Sequence, residues 1–258
     1  MKVLFIGDIV GRKGRRIIKE IIPKLKMERS IDLVIANGEN AAGGFGITKK
    51  VADEIFGCGV DIITGGNHIF AKKEIYEIID DLPILRALNY PPCVPGRGFI
   101  IKPYKGQNVC VISLCGRVFM DSLDCPFRAI DSILEDVKEK TKIIIVDIHA
   151  EATSEKVALG WFLDGRVSAV IGTHTHIPTA DCKILPKGTA YITDIGMVGA
   201  GNSVIGVKKD LVLKKFLSLL PVRFEMAEDE GIFGGAYIDI DEKTGLSCSI
   251  EQIQIKGL

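Results

Sequence analysis

Three times within its first 70 residues the chain runs through a short apolar segment, halts at glycine beside a carboxylate, amide or imidazole, and continues into a helical stretch. The segments are Lys2 to Ile6 before Gly7-Asp8, Ile31 to Ala36 before Asn37-Gly38-Glu39-Asn40, and Val60 to Thr64 before Gly65-Gly66-Asn67-His68. Strands joined by helices in this way lie parallel, because the crossover returns the chain to the same side of the sheet. Their C-terminal ends then share one edge, where open α/β sheets hold their ligands. Apolar spacing predicts helices over 17–27, from about Thr48, which suits an N-cap, and over 72–82.

The rest of the chain repeats the theme and adds a second sheet. Residues 84–97, with prolines at 91, 92 and 95, read as an ordered loop. Gly98 to Pro103 and Asn108 to Leu114 flank Lys105-Gly106-Gln107 as a hairpin. Residues 120–128 read as a loop and 129–140 as a helix, which feeds the apolar run Ile143 to Ile148 and stops at His149. A helix over 153–163 carries the only tryptophan, Trp161, read as a packing residue. Val167 to Ile171 leads into Gly172-Thr173-His174-Thr175-His176, two imidazoles one residue apart. Short strands follow at 183–185 and 190–193, then a glycine-rich loop at 199–206 and a closing hairpin, 235–240 with 246–255. With no linker, repeat or low-complexity tract, residues 1–258 read as a single domain.

Composition narrows the class. A chain of 258 residues that is 47% hydrophobic can bury a large core. No apolar run reaches the roughly 18 residues of a membrane span, and the first strand meets Asp8 and glycines too early for a signal peptide, so a cytoplasmic setting is expected. The seven cysteines are scattered and never form C-x-x-C, which argues against a disulfide framework or zinc knuckle and for small buried apolar roles. Thirty-three basic and 33 acidic residues leave no net charge, against extended nucleic-acid binding but open to a small anionic ligand. A near-neutral, apolar-rich chain is also compatible with a homo-oligomer.

Asp8, Glu39, Asn40, Asn67, His68, His149, His174 and His176 thus all fall just after strands, and the set includes all four histidines. Singly each has an ordinary reading: Asp8 as a helix cap, His174 and His176 as surface residues of a turn. Together they mix carboxylate, amide oxygen and imidazole, donors suited to Mn, Fe or Zn. The glycines at 7, 11 and 14 match neither G-x-G-x-x-G nor G-x-x-x-x-G-K-[ST], which disfavours a nucleotide cradle.

In this order, G-D, G-E-N, G-N-H, a lone strand-end histidine and G-T-H-T-H, the chain resembles the calcineurin-like metallophosphoesterases from residue 3 to about 200. It is most similar to the YmdB-like branch of bacterial 2',3'-cyclic-nucleotide phosphodiesterases, which shares the G-E-N motif. It departs from the wider superfamily in having D-I-V where D-x-H is usual, so Val10 supplies no ligand, and Glu39 in place of a bridging aspartate. The resemblance implies an α/β fold, an α/β/β/α sandwich of two mixed β-sheets flanked by helices. It also implies two divalent or mixed-valence transition-metal ions, Fe or Mn, with Zn as a further option. One would take Asp8, Glu39, Asn40 and His176, the other Glu39, Asn67, His149 and His174, with Glu39 bridging. The implied reaction is hydrolysis of 2',3'-cAMP to a nucleoside monophosphate, by in-line attack of a hydroxide held by the ions, with His68 as general acid. Phe45, Phe127, Arg128 and the 199–206 loop are candidate nucleotide contacts. The residues alone leave open a phosphomonoesterase, an RNA-end nuclease, and a regulatory protein that binds metal and nucleotide with incidental turnover.

Overall fold

The structure, a computed structural model, describes residues 1–258. In chain order, β1 (Lys2–Ile6) and the two-residue β2 (Asp8–Ile9) lead into α1 (Gly11–Arg29), followed by β3 (Leu33–Asn37) and α2 (Lys49–Gly57). Next come β4 (Ile62–Thr64), β5 (Ile84–Leu85), β6 (Phe99–Tyr104), β7 (Gln107–Cys115), α3 (Pro126–Lys138), β8 (Ile143–His149) and α4 (Thr153–Leu163). The last third holds β9 (Ala169–Thr173), β10 (Lys183–Ile184), β11 (Ala190–Ile192), β12 (Met197–Ala200), α5 (Lys209–Ser218), β13 (Gly231–Ile240) and β14 (Ser247–Lys256).

Two mixed sheets result. One has eight strands in the order β2-β12-β13-β1-β3-β4-β5, with β14 also on β13, and β1, β3, β4 and β5 run parallel. The other has six, β10-β11-β9-β8-β7-β6, parallel through its four central strands. Strand alternation explains the layering, since successive side chains point to opposite faces. On β1, Val3 and Phe5 join the core between the sheets, while Leu4 and Ile6 join the outer core under α1 and α2. On β8, Ile143 and Ile145 face the other sheet, and Ile144, Val146 and Ile148 pack toward α3 and α4. The four layers are the expected α/β/β/α arrangement, and no helix is long and apolar enough to cross a membrane.

Several local expectations are corrected. The predicted helix over 72–82 is a 3-10 turn at Lys73–Glu77, held by i to i+3 bonds such as Ile78 N–H to the Ile75 carbonyl. α1 begins at Gly11, not after the glycines; Gly14 lies inside it, and a side chain is excluded there because a Cβ would sit 2.3 Å from the Val198 carbonyl oxygen. α3 begins at Pro126, inside the predicted loop, with proline in the first helical turn where no N–H is needed. Gly199 and Ala200 of the expected 199–206 loop belong to β12. Trp161 is half exposed, its ring 5.9 Å from the Lys183 ammonium, so it is not a core packing residue. Of the seven cysteines only Cys110 and Cys115 are buried.

Candidate metal centre

The parallel strands of both sheets end on one side of the molecule, and there the inward face turns from apolar to polar. Leu33 and Ile35 of β3 are followed, two residues on, by Asn37; Ile62 of β4 by Thr64; Ile143 and Ile145 of β8 by Asp147; Ala169 and Ile171 of β9 by Thr173. These four buried side chains bond to one another. Asp147 accepts from the Thr64 hydroxyl at 2.5 Å, the Thr173 hydroxyl at 2.8 Å and the Asn37 amide at 3.2 Å. They form a polar floor between the sheets. Burial raises the Asp147 carboxyl to about 6, more than the His149 charge and the two hydroxyls lower it.

Above the floor stand seven of the eight residues singled out from sequence. His149 Nε2 lies 3.0 Å from Glu39 Oε1, 3.1 Å from Asn67 Oδ1 and 3.0 Å from His174 Nδ1. Beside this group, the end of the Asn40 amide lies 3.4 Å from Asp8 Oδ1, 3.3 Å from Glu39 Oε1 and 3.2 Å from His176 Nε2. Glu39 Oε1 belongs to both groups, while its Oε2 accepts the His68 backbone N–H at 2.9 Å. Ligands about 2.1 Å from a transition-metal ion stand roughly 3 to 3.4 Å apart, so these spacings fit those between ligands of a metal ion, and Glu39, His149 and His174 in particular bring their donor atoms within 4.8 Å of one another. An amide can turn either its oxygen or its NH2 toward such a point at little change in shape, which suits Asn40 as a ligand.

The imidazoles are oriented as ligands. His149 Nδ1 donates to Thr173 Oγ1 at 2.9 Å, and that hydroxyl donates on to Asp147. His174 Nε2 faces Glu151 Oε2 at 3.1 Å, and His176 Nδ1 donates to the Ile205 carbonyl at 3.0 Å. Each ring thus spends one nitrogen on an outer acceptor and leaves the other pointing inward, the arrangement that fixes the tautomer of a metal-bound histidine. Gly66 makes room for this: a Cβ there would lie 2.1 Å from His149 Cδ2.

Charge points the same way. Burial would lower the His149 ring, but Glu39, Asp8 and Asp147 outweigh it and push it up to about 9. Burial would raise Glu39, but the His149 charge and hydrogen bond and the His68 N–H hold it down at about 2. Burial raises Asp8, against the pull of His176 and His149. Burial and then the neighbouring His149 charge lower His174 to about 3. Three buried carboxylates gather around these rings, a setting that favours cations. The donor set, its spacing and its charge all fit transition-metal ions.

His174 and His176 sit at positive φ, 100° and 65°, conformations that cost on the order of 1–3 kcal/mol each. A buried ion pair holds the turn in place. Lys156 Nζ, on α4, lies 2.8 Å from Asp194 Oδ2 and donates to the Thr173 carbonyl at 2.6 Å. Asp194 also accepts the Thr175 N–H at 3.0 Å and the Gly196 N–H at 2.8 Å. Lys156→Met removes the cation and leaves a fully buried carboxylate. The prediction is a loss of about 3 kcal/mol, read by chemical denaturation of metal-stripped protein; an unchanged midpoint would refute the clamp.

His68, the eighth residue, is in neither set of inward-facing donors, although its Nε2 lies 3.3 Å from the Asn67 amide nitrogen. It lines a cleft of about 370 Å³ with Glu39, Asn40, His174 and His176, and Phe45 packs edge-on to its ring at 5.2 Å. The far wall is apolar: Ile205, Phe224 and Met226. Phe45 and Ile205 of the expected nucleotide contacts are therefore at the site. Phe127 packs on Phe162, and Arg128 lines a separate groove with Tyr90 and Arg117, so neither reaches it. Sequence reasoning missed Asn37, Thr64, Asp147, Glu151, Thr173, Lys156 and Asp194. The signal for four of them was a polar residue at the inward position that ends an alternating apolar strand.

A family model described as YmdB-like protein matches residues 4–253. A "2',3'-cyclic-nucleotide 2'-phosphodiesterase" of Bacillus subtilis is 48% identical over 256 residues, covering 99% of this chain and 97% of the relative. Among solved structures, a hypothetical protein from Thermus thermophilus superposes with a TM-score of 0.95 at 42% identity over the whole of both chains. A phosphatase from Mycoplasma pneumoniae superposes with 0.93 at 34% identity, over 99% of this chain and 93% of that one. The fold is that of the calcineurin-like phosphoesterases. Its site geometry and these likenesses together place this chain in the YmdB-like family of metallophosphoesterases.

Proposed function

We propose that this enzyme hydrolyses small nucleotide phosphodiesters, with 2',3'-cyclic AMP as a substrate and a nucleoside monophosphate as product. It would act with two transition-metal ions, Fe or Mn or else Zn, held by Asp8, Glu39, Asn40 and His176 and by Glu39, Asn67, His149 and His174. The observation that carries the reading is the pair of donor groups sharing Glu39 Oε1, with every imidazole nitrogen that faces them free of other partners. When bound, the ions supply Lewis acidity, activating water as nucleophile and offsetting charge on the phosphoryl oxygens.

The chain's own residues account for the rest. Asp147 and Thr173 hold His149 in one tautomer, Glu151 does so for His174, and the Ile205 carbonyl for His176. His68, in the cleft, protonates the ribose oxygen as its bond to phosphorus breaks. The apolar wall of Phe45, Ile205, Phe224 and Met226 offers the base a dry face. No lysine or arginine lines the cleft, which suits a singly charged diester over a doubly charged monoester. The same scarcity of cations, with no net charge on the chain, argues against extended nucleic acid.

The test pairs elemental analysis with hydrolysis of 2',3'-cyclic AMP, a bis-aryl diester and an aryl monoester, before and after chelation. About two ions per chain, diester hydrolysis abolished by chelation and restored by Mn or Fe, and weak monoester cleavage are expected. Full diester hydrolysis by stripped protein would refute the reading.

A further inference from the structure

No carboxylate pairs with Arg117 or Arg128, both exposed, and the two line one groove of about 490 Å³ with Asn89, Tyr90, Asp124 and Ser132. Asp124, the one carboxylate in the lining, is in ion-pair contact with neither. The segment that carries Arg117 is pinned where it leaves the sheet. Cys115 pairs with His149 across β7 and β8, and the Gly116 N–H donates to the His149 carbonyl at 2.9 Å. The Arg117 and Val118 N–H groups then donate to the Glu155 carboxylate, buried on α4, at 3.1 and 3.3 Å. Asn89, also buried, ties both ends of the segment: it donates to the Cys115 and Asp124 carbonyls and accepts the Cys115 N–H.

The groove adjoins the cleft on two sides. Strand spacing and rise place the Arg117 backbone about 8 Å from that of the metal-site residue His149. Met120 Sδ accepts the N–H of Glu151, which lines the cleft, and Tyr90 packs edge-on to Phe70, two residues past His68. Between the pins, Phe119 is 89% exposed and sits at φ 61°, a left-handed conformation that side chains other than glycine rarely adopt and that gathers at functional sites. A ring held out to water on a pinned loop, beside two free arginines, is the combination that binds single-stranded nucleic acid: bases stack on the ring while cations hold the phosphates.

We infer that the preferred substrate is the 3' end of a short RNA strand that carries a 2',3'-cyclic phosphate, with the groove taking the nucleotide before it; this rests on the hydrolysis proposed above. A 2',3'-cyclic ester occupies both of those ribose oxygens, so the chain can continue only from the 5' oxygen, which bears the next phosphodiester. Arg117 and Arg128 take that phosphate, and Phe119 takes the base behind it. The reaction is unchanged: water adds to phosphorus, one ring P–O bond breaks, and the freed ribose oxygen gains the proton. With two arginines in the groove and none in the cleft, recognition ends at the nucleotide next in line and does not extend to a long track.

Adenylyl-adenosine ending in a 2',3'-cyclic phosphate should be hydrolysed with a kcat/KM about tenfold or more above that of 2',3'-cyclic AMP, the gain expected from one stacked base alone. Arg117→Ala, Arg128→Ala and Phe119→Ala should each shrink that ratio. Lys140→Ala with Lys243→Ala, in a groove at the opposite end of the strands, should keep it. The substituted side chains are all exposed, so circular dichroism should not change. Metal-stripped protein gives a readout without turnover, the fluorescence anisotropy of a labelled adenylate tetranucleotide. Its log affinity should fall against log salt with a slope of about −1.4 for two arginine–phosphate contacts, and about −0.7 in either arginine variant. Equal kcat/KM for the two cyclic substrates overturns the inference and leaves cyclic-nucleotide hydrolysis standing. So does displacement of the tetranucleotide by inorganic phosphate at equal concentration, which reassigns the groove to the free ion. Arginine-dependent binding with no turnover of either substrate would sink the hydrolysis itself, and the substrate assignment with it.

Discussion

Glu39→Ala is expected to lower kcat/KM for 2',3'-cyclic AMP by at least about 10³-fold and to strip the protein of both ions. The carboxylate is fully buried, and its Oε1 is the one atom common to both donor groups. Its loss opens both shells at once and leaves His149 without its nearest carboxylate, so charge stabilisation worth several kcal/mol goes with it. About 4 kcal/mol corresponds to 10³ in rate. The same substitution removes the acceptor of the His68 N–H and so loosens the loop that carries the proposed acid. Asp8→Ala provides the contrast, because the Asp8 carboxylate adjoins the inward atoms of the Asn40 and His176 group and meets the other group only at the His174 backbone N–H and, 3.8 Å away, at the outer Nδ1 of His149. That variant should retain close to one ion where Glu39→Ala retains neither. Elemental analysis alongside initial rates distinguishes the cases. Two ions and more than a tenth of the activity in Glu39→Ala would mean that Glu39 does not bridge.

Much of this was legible before the structure because strand alternation and strand-end chemistry are local. Val3, Leu4, Phe5 and Ile6 already show a strand apolar on both faces, which is what a sheet between two packed layers requires. The strand-end glycines mark where the backbone turns to present a ligand, and Gly66, against the His149 ring, shows why one of them is needed. The polar floor was harder to see. Asn37, Thr64, Asp147 and Thr173 each look like an ordinary strand-end residue, and only the strand registers within each sheet, Asn37 opposite Thr64 in one and His149 opposite Thr173 in the other, together with the packing of the sheets, bring them together. Periodicity misled at 72–82, where Ile75, Ile78, Ile79 and Leu82 have helical spacing but the chain buries Ile75 and Ile79 through a short 3-10 turn before Pro83. It gave no helix at α5, and at Trp161 it gave the helix but turned the ring the wrong way, since spacing shows that residues share a face and not which way the face turns.

His68→Ala should separate proton transfer from metal binding. Its imidazole lies outside both donor groups, so metal content should stay at the wild-type value. The expected loss is about 10³-fold in kcat for 2',3'-cyclic AMP, within the range set by general acids, because a ribose alkoxide is a poor leaving group without a proton. For a bis-aryl diester with an acidic phenol the loss should fall to about tenfold or less, since that group departs as the anion. Phe45→Ala, which removes the edge-on support of the ring, should fall between wild type and His68→Ala on the cyclic substrate. The rival role is visible in the structure: His68 Nε2 lies 3.3 Å from the Asn67 amide nitrogen, and Asn67 Oδ1 faces His149. A residue that merely orients Asn67 would, when removed, slow both substrates equally and lower metal retention. Equal losses with a depleted ion would therefore move His68 from proton donor to positioning residue, whereas a leaving-group-dependent loss at full metal occupancy assigns it the proton.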